Sequence, residues 1–260
     1  MSAAEKGQKL DSARAKFQVK LTNLGMQGVE YVLKGGFPED SVYLLTGAPG
    51  TYFTAFAQQA LYNHLISKGK VVYYSVDSPS TDLEQDMALF KWNLRNYIDD
   101  GSWLFARPLP PGLQKIAELM PDAPHEERFN LGANSLNALA QNFLGKLKQE
   151  RWSALTLSYI MRNYEPAEVS DLVMFWVNAA HKFGGIHFLL LTAGVQAEDQ
   201  VTYLKSQVDG VLNFKFAQGF DQTEGEIEIE KLRRVVPKAK VIRHVVQDDG
   251  ISIETKARIG

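Results

Sequence analysis

Short uninterrupted apolar runs alternate with longer stretches whose apolar residues recur every three to four positions, and from residue 42 to residue 193 this predicts a strand–helix repeat. Val42-Tyr43-Leu44-Leu45-Thr46 is such a run, stopped by Gly47-Ala48-Pro49-Gly50, and residues 55–67 then follow helical spacing. Residues 70–76, rich in β-branched and aromatic side chains, predict a second strand. Residues 80–92 predict a helix, with Ser80, Thr81 and Glu84 at capping-box spacing. A third strand is expected at 102–106. The stretch 107–128, carrying Pro108, Pro110, Pro111, Pro121 and Pro124, is expected to leave the sheet as a surface excursion. Helix 134–150, strand 154–159, helix 166–183 with Pro166 in its first turn, and strand 186–193 complete the alternation.

Beyond residue 210 the period changes. Residues 210–217, 226–234, 241–247 and 251–256 are strand-like runs separated by turn residues such as Asp248-Asp249-Gly250, which predicts antiparallel hairpins closing a mainly parallel sheet. Residues 1–22 read as a polar N-terminal arm and 23–260 as one α/β domain, without an internal repeat, low-complexity segment or linker to divide it.

Composition narrows the chemistry. With 45% hydrophobic and 22% charged residues among 260, the chain has ordinary globular composition. A net charge of −2 gives no global attraction to nucleic acid or to an anionic membrane. The absence of cysteine excludes disulfides, zinc–thiolate sites and cysteine nucleophiles, and fits a reducing compartment. No apolar run approaches the roughly 18 residues of a membrane span, and the first twenty residues lack a signal-peptide core, so a cytoplasmic location is expected.

The glycine turn after the first strand aims backbone N–H groups and a helix dipole at one point, an arrangement suited to anions. The phosphate loop of P-loop NTPases needs glycine, four residues, glycine, lysine, then serine or threonine. Here the frame is Gly47-Ala48-Pro49-Gly50-Thr51-Tyr52-Phe53-Thr54. Gly47 and Thr54 fit, but Tyr52 replaces the second glycine and Phe53 the lysine, so the loss of both a permissive backbone position and the fixed positive charge is expected. Without lysine the loop forfeits a charge-assisted interaction of about 1.5–3 kcal/mol, about ten- to a hundredfold in binding.

The segment from Leu24-Gly25-Met26 through Gly35-Gly36-Phe37-Pro38, followed by Ser41 to Thr51, closely resembles the opening of the KaiC-like branch of the RecA superfamily of P-loop ATPases. The resemblance continues through Gly69-Lys70-Val71-Val72-Tyr73-Tyr74-Ser75-Val76-Asp77-Ser78-Pro79, where the family strand ends in two glutamates and a proline. Phe90-Lys91-Trp92 looks like the family's phenylalanine-glycine-tryptophan segment, and Ile186 to Thr192 and Val208-Asp209-Gly210-Val211 resemble later family strands. It spans about 24–255 and implies a RecA-type core sheet. It also implies eroded chemistry. Asp77 and Ser78 stand at the paired glutamates, one of which polarises water, and Ser158 stands where active relatives hold the magnesium shell with aspartate. Lys231 and Arg233 match a lysine–arginine pair that KaiC-like rings present to a neighbour's phosphates.

The remaining candidates are weaker. His64, His125, His181, His187 and His244 show no metal-ligand spacing, so no metal site is expected, and His187 reads as a core residue. No serine-nucleophile elbow is present. Lys231, Arg233, Arg234, Lys238, Lys240 and Arg243 form a basic stretch preceded by Glu226, Glu228 and Glu230, which gives nucleic-acid binding little support. The expectation is a catalytically degenerate regulatory or assembly subunit, with weak or no binding of ATP or ADP. It would form homo-oligomers, or hetero-oligomers with an active KaiC-like ATPase, and have no membrane span. The alternatives are an active ATPase with a modified loop and a DNA-binding recombinase paralogue.

Overall fold

The structure, a computed structural model, describes residues 19–119, 125–217 and 224–254. Of the expected polar arm only residues 19–22 fall among these. Within them β1 (Leu21–Thr22) pairs antiparallel with β2 (Phe37–Pro38), with the short helix α1 (Val29–Leu33) between them in the chain. The repeat then runs β3 (Ser41–Gly47), α2 (Phe53–Ile66), β4 (Lys70–Tyr74), α3 (Ser80–Leu89), α4 (Arg95–Asp99), β5 (Trp103–Leu109), α5 (Pro111–Ala117) and β6 (Glu126–Asn130). It continues as α6 (Asn137–Leu147), β7 (Arg151–Thr156), α7 (Ser158–Asn163), α8 (Pro166–Phe183), β8 (Ile186–Thr192), α9 (Glu198–Gln207) and β9 (Gly210–Phe216). A meander of β10 (Glu224–Leu232), β11 (Val241–Gln247) and β12 (Gly250–Ile253) follows.

Ten strands form one sheet in the order β12-β11-β10-β9-β3-β8-β7-β4-β5-β6. From β9 to β6 every pairing is parallel, and the β9–β12 side is antiparallel. Alternation along β3 sends Tyr43 and Leu45 into the core beneath α2, and Val42 and Leu44 into the core beneath α6 and α8. Both faces are therefore covered, as a parallel sheet requires. The C-terminal hairpin is latched to this body. Gln59 of α2 accepts from the Ile251 N–H at 2.7 Å and donates to the Ile251 carbonyl at 3.2 Å, while Trp92 Nε1 donates to the Asp249 carbonyl at 3.0 Å. Gly250, at φ 131°, fits between them, since a Cβ there would lie 2.7 Å from Trp92 and 2.8 Å from Gln59. The Ile253 N–H donates to the Gln27 carbonyl.

Several local expectations change. Residues 120–124, with Pro121 and Pro124, lie outside the described residues, and the rest of the stretch 107–128 is not simply a surface excursion. β5 runs on through Arg107 and Pro108 to Leu109, because β4 pairs only as far as Ala106 and the prolyl nitrogen faces no partner strand on that side. Pro108, Leu109 and Pro110 are buried, and Pro111 opens α5 at the helix position that tolerates it. β6 was not expected at all. The capping box of α3 does not form: the Ser80 N–H donates instead to Glu126 Oε2 at 3.0 Å, and Glu84 binds His125 at 2.5 Å. β7 lies three residues earlier than expected, and Ser158 opens a short helix rather than continuing the strand. The first residue of β7, Arg151, is 7% exposed and donates to the carbonyls of Val71, Gly101 and Ser102.

Candidate functional site

β3 ends at Gly47, in contact with Thr51, Phe53 and Phe214. A Cβ at Gly47 would stand 2.9 Å from the Phe53 ring and overlap Thr51. The turn is closed by Thr51, whose N–H and hydroxyl both donate to the Ala48 carbonyl, at 3.2 and 2.8 Å. Tyr52 then adopts φ 62°, ψ 18° and leads into α2. The backbone conformation that suits glycine is thus kept, with a tyrosine carrying about 1–2 kcal/mol of left-handed strain. The expected loss of a permissive backbone is corrected in that respect: the turn survives, and the side chains change what it can do. Lys91 repeats the pattern at φ 62°, at the position where the family segment has glycine.

Phe53 is 7% exposed, with its ring against Gly47, so the frame's lysine position holds a buried apolar side chain. No side chain caps the first turn of α2, so its backbone N–H groups and the helix dipole are what it offers an anion. Beside it, between α2, α3 and the C-terminal ends of β4, β7 and β8, lies a cleft of about 160 Å3. Asp77, Asp82 and Asp86 line it, with Thr54, Ser75, Ser78, Thr156, Ser158 and Thr192, and no lysine, arginine or histidine is among the lining residues. Partial burial, and then the like charge of Asp82, hold the Asp86 carboxyl above its ordinary range.

The structure brings Asp77 and Ser158 to this one cleft. Asp77 Oδ1 accepts from the hydroxyls of Ser75 and Thr156, both at 3.2 Å, and Thr156 Oγ1 accepts from the Val76 N–H. Ser158 Oγ donates to Thr192 Oγ1 at 3.2 Å and accepts from the Thr192 N–H at 2.9 Å. Sequence reasoning missed Thr156 and Thr192. Each is the polar residue that ends an apolar strand, at the edge where parallel sheets place their sites, and that signal could have found them. Asp82 and Asp86, one helical turn apart on α3, were also missed.

Lys231 and Arg233 lie elsewhere. Gly225 pairs with Phe216 near the loop, whereas Lys231 pairs with Val211, about six residues or about 20 Å down the strand toward the opposite edge of the sheet. Lys231 Nζ donates to the carbonyls of Lys205 and Ser206 at 2.8 and 2.7 Å, closing the C-terminus of α9, and partial burial lowers its pKa. Arg233 and Arg234 approach Asp209, which is 3% exposed and also receives His181 at 3.0 Å and the Val42 N–H at 3.1 Å. Arg243 faces Glu226, Lys205 faces Glu230, Lys215 faces Glu228, and Lys238 sits 3.4 Å over the Tyr31 ring. The basic stretch is largely interleaved with its own acids. His187 is a core residue, with Nδ1 bonded to Ser153 Oγ and Nε2 to the Gly184 carbonyl, and burial pushes it down to about 4. No group of three or more metal-ligating side chains occurs among the described residues, and none of the described helices is long and apolar enough to cross a membrane.

A family model described as the KaiC ATPase matches residues 22–258. The chain belongs to this family. KaiC itself is among its relatives: the circadian clock oscillator protein KaiC of Parathermosynechococcus lividus is 25% identical over 88% of the chain and 41% of its own length. A UPF0273 protein of Pyrococcus furiosus is 33% identical over 38% of the chain and 40% of its own length. A UPF0273 protein of Saccharolobus solfataricus is 22% identical over 87% of the chain and 80% of its own length. The matches to the P. furiosus protein and to KaiC thus span about two fifths of those relatives. The fold agrees with the crystal structure of a KaiC-like protein from Pyrococcus horikoshii, with a TM-score of 0.67 at 19% identity, over 91% of the chain and 99% of that structure. Phe53, Asp77 and Ser158 line the cleft beside the loop, and Tyr52 lies in the turn that leads into α2.

Proposed function

We propose that this chain is a KaiC-family subunit that does not hydrolyse ATP, binds it weakly or not at all, and acts by assembly, with copies of itself or with an active KaiC-family ATPase. The observation that supports this reading is the charge of the cleft: three carboxylates, a buried Phe53 at the lysine position, and no cationic side chain in its lining. A triphosphate entering it loses the lysine contact of about 1.5–3 kcal/mol and meets carboxylates that repel it by about 1 kcal/mol each at partly screened separations. The helix dipole, worth about 0.3–1 kcal/mol, offsets only a fraction of that.

Isothermal titration with Mg·ATP is expected to give a dissociation constant well above micromolar, with no steady phosphate release. Tight magnesium-dependent binding together with turnover would defeat the proposal. A variant combining Tyr52→Gly, Phe53→Lys and Ser158→Asp should bind Mg·ATP more tightly, because the turn already holds the loop's backbone conformation. The trans reading of Lys231 and Arg233 belongs to the same proposal. Their position away from the chain's own loop suits action on a neighbour, a role worth about 10³–10⁵ in rate in other P-loop systems. Substituting both with alanine should weaken association or a partner's ATPase while the thermal midpoint stays within a few degrees. A strictly monomeric chain without effect on any KaiC-family ATPase would remove this part of the reading.

A further inference from the structure

At the N-terminal end of the parallel strands, away from the cleft just described, lies a hollow of about 360 Å3 between the turns that enter β4, β7 and β8. Its size falls in the range of small-molecule pockets, about 300–1,000 Å3. One wall is aromatic. His64 lies face to face with Trp152, ring centroids 3.8 Å apart and planes within 4°, and Phe183 stands beside them. Neither His64 ring nitrogen has a hydrogen-bond partner among the described residues, and burial lowers the imidazole to about 4, so it is neutral at physiological pH. The other wall is charged. Glu39 is neutralised by Lys20 at 2.6 Å, but Lys68 and Lys70, both exposed, have no ion-pair partner among the described residues and outnumber the one remaining lining carboxylate, Glu150.

We propose that this hollow is a binding site for a small anion carrying a flat ring, with the ring packed against the His64–Trp152 pair and the charge held by Lys68 and Lys70. Each half of the site accounts for a different half of the ligand. Flat apolar surface rewards a planar ring and is indifferent to charge, whereas two ammonium groups reward an anion and are indifferent to its shape. The unpaired ring nitrogens of His64 add a polar contact that a purely aromatic wall would lack.

The probes are indole-3-carboxylate and adenosine 5′-monophosphate as ring-bearing anions, inorganic phosphate as the anion alone, and adenosine as the ring alone. Calorimetry and the indole N–H resonances of the intact chain provide the readouts. Both ring-bearing anions should bind in the millimolar range or tighter, about tenfold or more above either half. Lys68→Glu with Lys70→Glu, exposed positions that leave the fold alone, should abolish that binding, and His64→Leu should weaken the ring-bearing anions while leaving phosphate unchanged. The indole compound separates this hollow from the nucleotide cleft: its binding should be indifferent to Tyr52→Gly and Phe53→Lys, whatever those variants do with Mg·ATP. No binding of either ring-bearing anion at millimolar concentration, binding untouched by the charge reversals, or phosphate binding as tightly as the ring-bearing anions would overturn the proposal.

Discussion

The two ends of the parallel sheet differ in how their charges are used. At the end where β4, β7 and β8 finish, Asp77, Ser158, Thr156 and Thr192 are joined by bonds of 2.9–3.2 Å in an open cleft, and Asp82 and Asp86 add charge without a cation among the lining residues. At the end where β3, β7 and β8 begin, Asp209 gathers His181, Arg233, Arg234 and the Val42 N–H, Arg151 fastens three carbonyls, and Lys231 closes α9. The first end has a left-handed turn at Tyr52 and no cationic side chain among the residues lining its cleft. The second is dense with cations whose bonds are mostly made within the chain. The two ends therefore differ in where charge is satisfied: the left-handed turn at Tyr52 stands beside an acidic cleft, whereas the opposite end pairs its cations within the chain.

That contrast can be broken most forcefully at Asp209. Asp209→Ala leaves the Val42 N–H and three basic side chains without their shared acceptor and should cost about 3 kcal/mol in urea unfolding; a loss under 1 kcal/mol would mean the cluster is incidental. Acid should come next. His187 is fully buried and held at about 4 against about 6.5 in the unfolded chain, so below pH 6.5 the unfolded state takes up a proton that the folded state refuses. Stability should fall as pH drops from 7 to 5, by about 2 kcal/mol from this residue, and the slope should be shallower in His187→Asn. Equal slopes in the two proteins would assign the acid loss to other groups. Tyr52→Gly relieves left-handed strain and removes partly buried ring surface, so stability should stay within about 1 kcal/mol. Smallest is Asp77→Asn, which exchanges one acceptor for another between two hydroxyls and should move the urea midpoint by less than about 0.5 kcal/mol equivalent. A cost at Asp77 rivalling that at Asp209 would erase the distinction between the two ends.

Much of this architecture was legible because it depends on period. Helix 166–183 is found with the bounds expected, since Pro166 marks its first turn and its apolar face is wide, and β11 is found where the alternation 241–247 placed it. The elements that escaped lack such signals. α9 has only Leu204 buried, so no apolar stripe announces it. β5 was expected over 102–106, and only its continuation through Pro108 escaped, as did β6, a half-exposed charged strand; both depend on pairing that a single segment does not encode. At the site, the missing lysine was plain in Phe53, but the left-handed Tyr52 was not, because backbone conformation at a non-glycine residue is imposed by the surrounding turn. The acidity of the cleft escaped for a related reason: Asp82 and Asp86 stand on a helix apart from the loop and meet it only in three dimensions.

The latch on the last hairpin also has a consequence for how copies can meet. Gln59 supplies to Ile251 both the donor and the acceptor that a further strand would offer, and the Gln27 carbonyl takes the N–H of Ile253, so this border of the sheet is occupied by the chain itself. The other border is β6, where Glu126, Glu127 and Arg128 follow one another and discourage strand addition. Continuous sheets running from copy to copy, and the fibrils they lead to, are disfavoured at both margins.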